Sequence, residues 1–184
     1  KRYPNQIIPF AGLNPMQGID QTMDEFKKCC DECDIYGIKM NGCRDTYYMD
    51  DPTLAFPFYE KIASRNLVLA LHTHPWRFRK IARTFPDTRM IMVHMGGSGT
   101  ALYQEAIEVA QECPNVLLAA SEADPRAIIK AIKTLGANRV CFASDTPFYP
   151  MKISVAIFKA LLDEFSEEET NLVMGGNMLR FLGI

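Results

Sequence analysis

Hydrophobic positions along the chain fall into six short apolar runs, separated by stretches whose apolar residues recur at helical spacing. The runs are Gln6–Gly12, Tyr36–Met40, Leu67–Leu71, Met90–Val93, Val116–Ala120 and Val140–Ala143. Each is too short for a helix and is bounded by turn formers such as Asn14-Pro15, Asn41-Gly42 and Pro114-Asn115, so each predicts a buried strand. The intervening stretches predict helices. Ile19 to Cys33 carries Ile19, Met23 and Phe26 on one side, and Thr53 to Ser64 carries Phe58 and Ile62. Further helices are expected over Trp76–Thr84, Leu102–Cys113, Arg126–Leu135 (opened by Pro125) and Ile153–Phe165. The tail from Glu167 to Gly183 predicts a short helix, a break at Gly175-Gly176 and a last helical turn. Cys43 to Pro52 is a long polar loop, which suits a site more than a tight connection.

Regular alternation of strand and helix implies right-handed crossovers and a parallel sheet. The sheet is either open and doubly wound or part of a β/α barrel. A nucleotide-binding open sheet carries a glycine-rich turn after its first strand, and Leu13-Asn-Pro-Met-Gln-Gly18 is not one. The fold class expected is therefore α/β, of the (β/α)8 TIM-barrel type. Six of the eight β/α units are present, since a full barrel takes ~250 residues. Three runs deliver chemistry at their carboxyl ends: His72-Thr-His74, His94-Met-Gly-Gly97 and Ser144-Asp145. Imidazoles and a carboxylate converging at that face of a barrel can hold a divalent metal.

Composition narrows the class without deciding it. The chain has 184 residues, 48% hydrophobic and 23% charged, and residues 1–184 read as one incomplete barrel domain. A net charge of -2 offers no electrostatic case for nucleic acid or an anionic membrane. No run approaches the ~18 apolar residues of a membrane span. Lys1-Arg2-Tyr3-Pro4 has neither an initiator Met nor a secretory apolar region, so it reads as an internal start. Of the six cysteines, Cys29, Cys30 and Cys33 crowd one predicted helix, and the rest are scattered. A lone Cys30-Asp-Glu-Cys33 in mid-helix reads as structural, and free thiols point to a cytoplasmic address.

Five ordered segments resemble one family. Phe85-Pro-Asp-Thr-Arg-Met-Ile-Met-Val-His-Met-Gly-Gly97 resembles the sixth-strand motif of the amidohydrolase-related proteins (amidohydrolase family 2). These are metal-dependent β/α-barrel hydrolases and decarboxylases. Gly37-Ile-Lys-Met40 resembles their fourth strand and Val68-Leu-Ala-Leu-His-Thr73 their fifth. Arg139-Val-Cys-Phe-Ala-Ser-Asp-Thr-Pro147 resembles the eighth, with alanine where glycine is usual, and Gly175-Gly-Asn-Met-Leu-Arg-Phe-Leu-Gly183 the closing helix. On this match the chain carries barrel strands three to eight, without the first strand's His-x-His pair. His72-Thr-His74 mimics that pair, but a single helix separates it from the His94 strand, which fits strand five.

The resemblance implies His72 as a metal ligand and Asp145 as the carboxylate that binds or adjoins the metal and shuttles a proton. It implies His94 as the group that polarises substrate or orients water. The expected cofactor is a divalent metal, zinc first, with manganese or magnesium as alternatives. His74, Trp76, Arg77 and Arg44 lie in loops at the expected active face, where arginine can bind a carboxylate in two-pronged fashion. Lys39, where some relatives carry a carbamylated lysine, is read as an unmodified lysine lining the barrel. Gly96-Gly97 is expected to let the chain turn sharply, and Asn177 to cap a helix.

The activity expected is metal-dependent hydrolysis of a small carboxylated, lactone or amide-type metabolite by metal-activated water. One alternative is non-oxidative decarboxylation of an aromatic or unsaturated acid on the same site. The other is a truncated, inactive barrel, because His72, Asp145 and His94 fall short of a four-coordinate set with water. The partner expected is a small-molecule substrate, with neither nucleic acid nor membrane. Two free sheet edges leave room for a homodimer.

Overall fold

In the computed structural model, Tyr3 and residues 6–184 are described, and the internal start read at Lys1, Arg2 and Pro4 lies outside them. Six parallel strands form one sheet in chain order: β1 (Phe10–Gly12), β2 (Gly37–Asn41), β3 (Val68–His72), β4 (Met90–Met92), β5 (Val116–Ala119) and β6 (Val140–Cys141). Helices connect them: α1 (Ile19–Glu32), α2 (Gly42–Asp45), α3 (Phe56–Ser64), α4 (Pro75–Thr84), α5 (Thr100–Glu112) and α6 (Pro125–Leu135). After β6 come α7 (Met151–Leu161), α8 (Glu167–Asn171) and α9 (Asn177–Leu182). Among the described residues no helix is long and apolar enough to cross a membrane.

Strand alternation divides the side chains cleanly. Ile38, Met40, Leu69, Leu71, Met90, Met92, Val116, Leu118 and Val140 pack in the large core under the connecting helices. Val68, Ala70, Ile91, Leu117, Ala119 and Cys141 face the other way and form a second core with Leu182, flanked by Met178 and Phe181. The register Lys39↔Ala70↔Ile91↔Leu117 puts Lys39 on that second, inner face, with Asn41 and His72 level with each other at its carboxyl rim. At Gly37 no other residue fits, because a Cβ there would collide with the Phe10 ring and the Val68 carbonyl.

Several elements are shorter or longer than the sequence predicts, each for a local reason. β1 begins at Phe10 rather than Gln6, since Pro9 has no N–H to give a ladder. α3 begins at Phe56 because the Asp51 carboxylate accepts from the amides of Thr53 and Leu54 and holds those residues in a turn. β6 stops at Cys141 because the Phe142 amide donates to the carbonyl of Val173 instead of a strand. The Cys43–Pro52 loop contains α2, started by the Asn41 side chain accepting from the Arg44 amide. α7 runs from Met151 to Leu161 and gives way to a tight turn at Leu162–Glu164. The break in the tail falls at Gly175, inside a wide turn over Leu172–Gly176.

Asn177 is not a cap. It is fully buried, and its Nδ2 donates to the carbonyls of Ala137 (2.6 Å) and Val140 (2.7 Å), tying α9 to the entry of β6. Cys30 and Cys33 are free thiols, and burial first of all pushes the Cys30 thiol above its usual range, the reverse of an activated thiolate.

Candidate metal centre

Every connection that leaves a carboxyl end from β3 onward presents a polar side chain. His72 closes β3, and Thr73 and His74 lead into α4. After β4 the backbone turns left-handed at His94 (φ 56°) and Met95 (φ 48°), then passes through Gly96 and Gly97. A Cβ on Gly96 would strike the Pro75 ring, so the sharp turn expected there depends on glycine. Left-handed residues recur after β5 at Glu122 (φ 59°) and after β6 at Asp145 (φ 55°). Such conformations cost ~1–3 kcal/mol each in a non-glycine residue and collect at functional sites.

The three strained side chains meet. One ligand atom each from His94, Glu122 and Asp145 lies within 4.8 Å of the other two. His94 is 8% exposed, and its Nδ1 is held by the Ser121 hydroxyl at 2.8 Å with the Ser121 carbonyl at 3.3 Å. That leaves Nε2 as the nitrogen with bonding capacity to spare. The His72 ring meets the His94 ring edge-to-face at 4.7 Å between centroids. His72 nonetheless stands outside the three-donor group.

Burial, then the charges of Lys39 and His94, lower the His72 pKa to about 4, so at neutral pH it is an uncharged imidazole with a free lone pair. Burial, then the Arg44 guanidinium, lower the Lys39 pKa to about 8, with Asp145 opposing. Burial and a hydrogen bond with Asp145 raise the Glu122 carboxyl above its usual range.

The outer candidates form a separate wall. A pocket of about 490 Å³ opens between the carboxyl ends of β2 and β3, lined by Gly42, Cys43, Tyr47, Tyr48, His74, Trp76 and Arg77, among others. His74 stacks on Trp76 at 4.4 Å, and its Nδ1 is buried without a hydrogen-bond partner. Arg77 lies 4.0 Å over the Tyr48 ring and is paired with Asp50, which also receives Lys80. Arg44 is exposed and bound by Asp45 at 2.7 Å. Both arginines thus have carboxylate partners, whereas among the described residues Lys39 hydrogen-bonds the Met40 carbonyl at 3.4 Å.

The Asp145 carbonyl accepts from the amides of Phe148 and Tyr149, and α7 starts later, behind Pro150. Glu122 and Ser121 are the site residues that sequence reasoning missed. Their signal was present, since Ser121-Glu122 follow the fifth apolar run just as His94 follows the fourth.

The family model for amidohydrolases matches residues 1–184. The chain belongs to the amidohydrolase family. An amidohydrolase-family relative from Dictyostelium discoideum, 2-amino-3-carboxymuconate-6-semialdehyde decarboxylase, is 23% identical over 98% of this chain. The chain spans 62% of that relative's length.

Among solved structures, 5-carboxyvanillate decarboxylase from Sphingomonas paucimobilis matches with a TM-score of 0.79 and 18% identity, over 100% of this chain and 68% of that one. A dihydroxybenzoic acid decarboxylase from a Polaromonas species, with bound manganese and the inhibitor 2-nitroresorcinol, matches with a TM-score of 0.76 and 20% identity. That match covers 99% of this chain and 70% of the other. These likenesses give the amidohydrolase chain its architecture: six consecutive parallel strands of a β/α-barrel fold.

Proposed function

We propose that this amidohydrolase chain carries the catalytic rim of a divalent-metal-dependent decarboxylase. It acts without an oxidant on an aromatic or unsaturated carboxylic acid. The observation that carries this reading is the convergence of imidazole and carboxylate donors at the carboxyl ends of consecutive parallel strands. The decarboxylase activities named for the relatives favour loss of CO₂ over the hydrolysis expected from the sequence.

The donor chemistry fits a divalent ion, and a carboxylate-rich set suits manganese, named for the Polaromonas structure, at least as well as zinc. His72, as a neutral imidazole, and Asp145 are the residues that would hold it. When bound, such an ion supplies a fixed positive charge that orients an anionic substrate.

The chain's own groups account for the remaining tasks. Lys39, on the inner face and without a carboxylate in hydrogen-bonding contact among the described residues, faces the substrate carboxylate. Tyr48 and Trp76, both exposed at the wall of the pocket, offer flat surfaces to a planar acid. Asp145 shuttles a proton from solvent to the substrate. In the reaction the bond from carbon to the carboxylate breaks, CO₂ departs, and the electron pair left on carbon takes that proton.

The test is incubation of the manganese-loaded protein with carboxymuconate-type and hydroxybenzoate acids in D₂O. Release of CO₂ with one deuterium at the vacated carbon is the expected result. Cleavage of a lactone or amide without CO₂ would overturn the reading in favour of hydrolysis.

A further inference from the structure

We infer that Ser121 is a positioning residue that holds His94 with its proton on Nδ1, so that Nε2 meets the site as a hydrogen-bond acceptor. The inference rests on the decarboxylase reading above and decides between the two tasks that the resemblance leaves open for His94. Polarising a substrate oxygen takes an N–H donor, whereas orienting a water or a substrate hydroxyl through its O–H takes a bare nitrogen.

The main chain brings the two residues together. Met92 is in register with Leu118 between β4 and β5, so His94 and Ser121 follow neighbouring strands by two and three residues. The chain turns left-handed at His94, and again at Glu122 directly after Ser121. Both residues are buried there, His94 8% and Ser121 3% exposed, so protein groups and not solvent choose the partners of Nδ1.

Two oxygens of Ser121 face that nitrogen, the hydroxyl at 2.8 Å and the main-chain carbonyl at 3.3 Å. A hydroxyl donates or accepts, so by itself it permits either tautomer. A carbonyl only accepts, and that decides the matter. A bare Nδ1 would set its lone pair against the carbonyl oxygen in a buried setting, where two facing acceptors are costly. A protonated Nδ1 satisfies both oxygens at once. Neutral histidine in water carries its proton mostly on Nε2, so Ser121 reverses the solution preference, the partner of one ring nitrogen setting the state of the other. A half-turn of the ring would give up both contacts, and His72 closes on the same ring edge-to-face at 4.7 Å.

The experiment is long-range ¹H–¹⁵N correlation of the histidine rings in labelled, zinc-loaded protein, Zn²⁺ being diamagnetic. The chain has three histidines, so the spectrum is sparse. The His94 ring is assigned from its loss in His94→Asn, whose side chain tolerates the left-handed backbone. A proton on Nδ1 of His94 is the expected result. A proton on Nε2 alone would overturn the inference whatever any variant does.

Rates of CO₂ release from the acids above supply the second readout. Ser121→Ala should lower kcat ~10-fold or more with KM unchanged, and Ser121→Thr, which keeps the hydroxyl, should recover most of the loss. An alanine variant as fast as wild type, a loss confined to KM, or equal losses with alanine and threonine would each overturn the positioning role. A folded wild type that releases no CO₂, yet carries the His94 proton on Nδ1, would overturn the decarboxylase reading and leave this one standing.

Discussion

The two ends of the sheet use polar side chains in opposite ways. At the amino end they are spent on the main chain. Asn115 Nδ2 donates to the carbonyls of Ala82, Phe85 and Thr88, and Arg139 Nη2 to those of Ala110, Cys113 and Val116. Asn177 secures Ala137 and Val140 in the same manner. At the carboxyl end the backbone turns left-handed at His94, Glu122 and Asp145, and side chains face one another instead of the main chain. The difference teaches where a β/α-barrel fold invests its stability and where it keeps bonding capacity in reserve.

The sharpest way to break that comparison is Asn177→Ala. It strands the Ala137 and Val140 carbonyls in a fully buried setting and should cost about 3 kcal/mol in urea denaturation, with Mn²⁺ affinity unchanged. A loss below about 1 kcal/mol would mean the amino end is not the structural one.

The converse change is Asp145→Asn. Metal affinity should drop about a hundredfold, ~2.7 kcal/mol, while the metal-free unfolding midpoint stays within the spread of ordinary surface substitutions. Ser121→Ala sharpens the contrast. Removing the hydroxyl that orients His94 should slow decarboxylation ~10-fold or more through ring orientation alone, with Mn²⁺ affinity unchanged.

Glu122→Gly releases a left-handed non-glycine residue and should raise stability by about 1 kcal/mol, read as a shift of the urea denaturation curve.

The smallest effect concerns acid. The unfolded chain takes up a proton on His72 near its ordinary value of 6.5, and the folded ring resists until about 4. Stability is therefore full above pH 6.5 and declines as pH falls toward 4, levelling off below. His72→Gln should flatten that part of the melting profile, modestly, because the ring is only half-buried.

Much of this arrangement was legible in the sequence, for a physical reason. A strand buried on both faces must be apolar throughout, so β2 to β5 announce themselves, and the polar residue that ends each run is by default at the rim. That rule found His72, His94 and Asp145. The fifth run hides its rim residues, because Ser121-Glu122 runs straight into the Asp124-Pro125 helix start.

Strand ends were legible only where the sequence itself stops pairing. β6 ends early because Val173, thirty-one residues on from Phe142, claims the next amide, and no local pattern encodes that. The role of Asn177 is hidden for the same reason. A buried amide looks like a cap until the carbonyls it serves, 37 and 40 residues away, are known. The fates of Arg44 and Arg77 were hidden by their aspartate partners at Asp45 and Asp50, one adjacent and one on another loop.

The α9 attachments have a consequence for how the molecule is made. Arg89, which enters β4, donates to the carbonyl of Phe181, ninety-two residues later. The apolar underside of the inner face is finished by Met178, Phe181 and Leu182. A nascent chain emerging at ~5–20 residues per second must therefore leave that underside wet for several seconds after β4 has been synthesised. Until residue 182 clears the ribosome, the growing sheet presents Val68, Ala70, Ile91 and Leu117 to whatever chaperone arrives first.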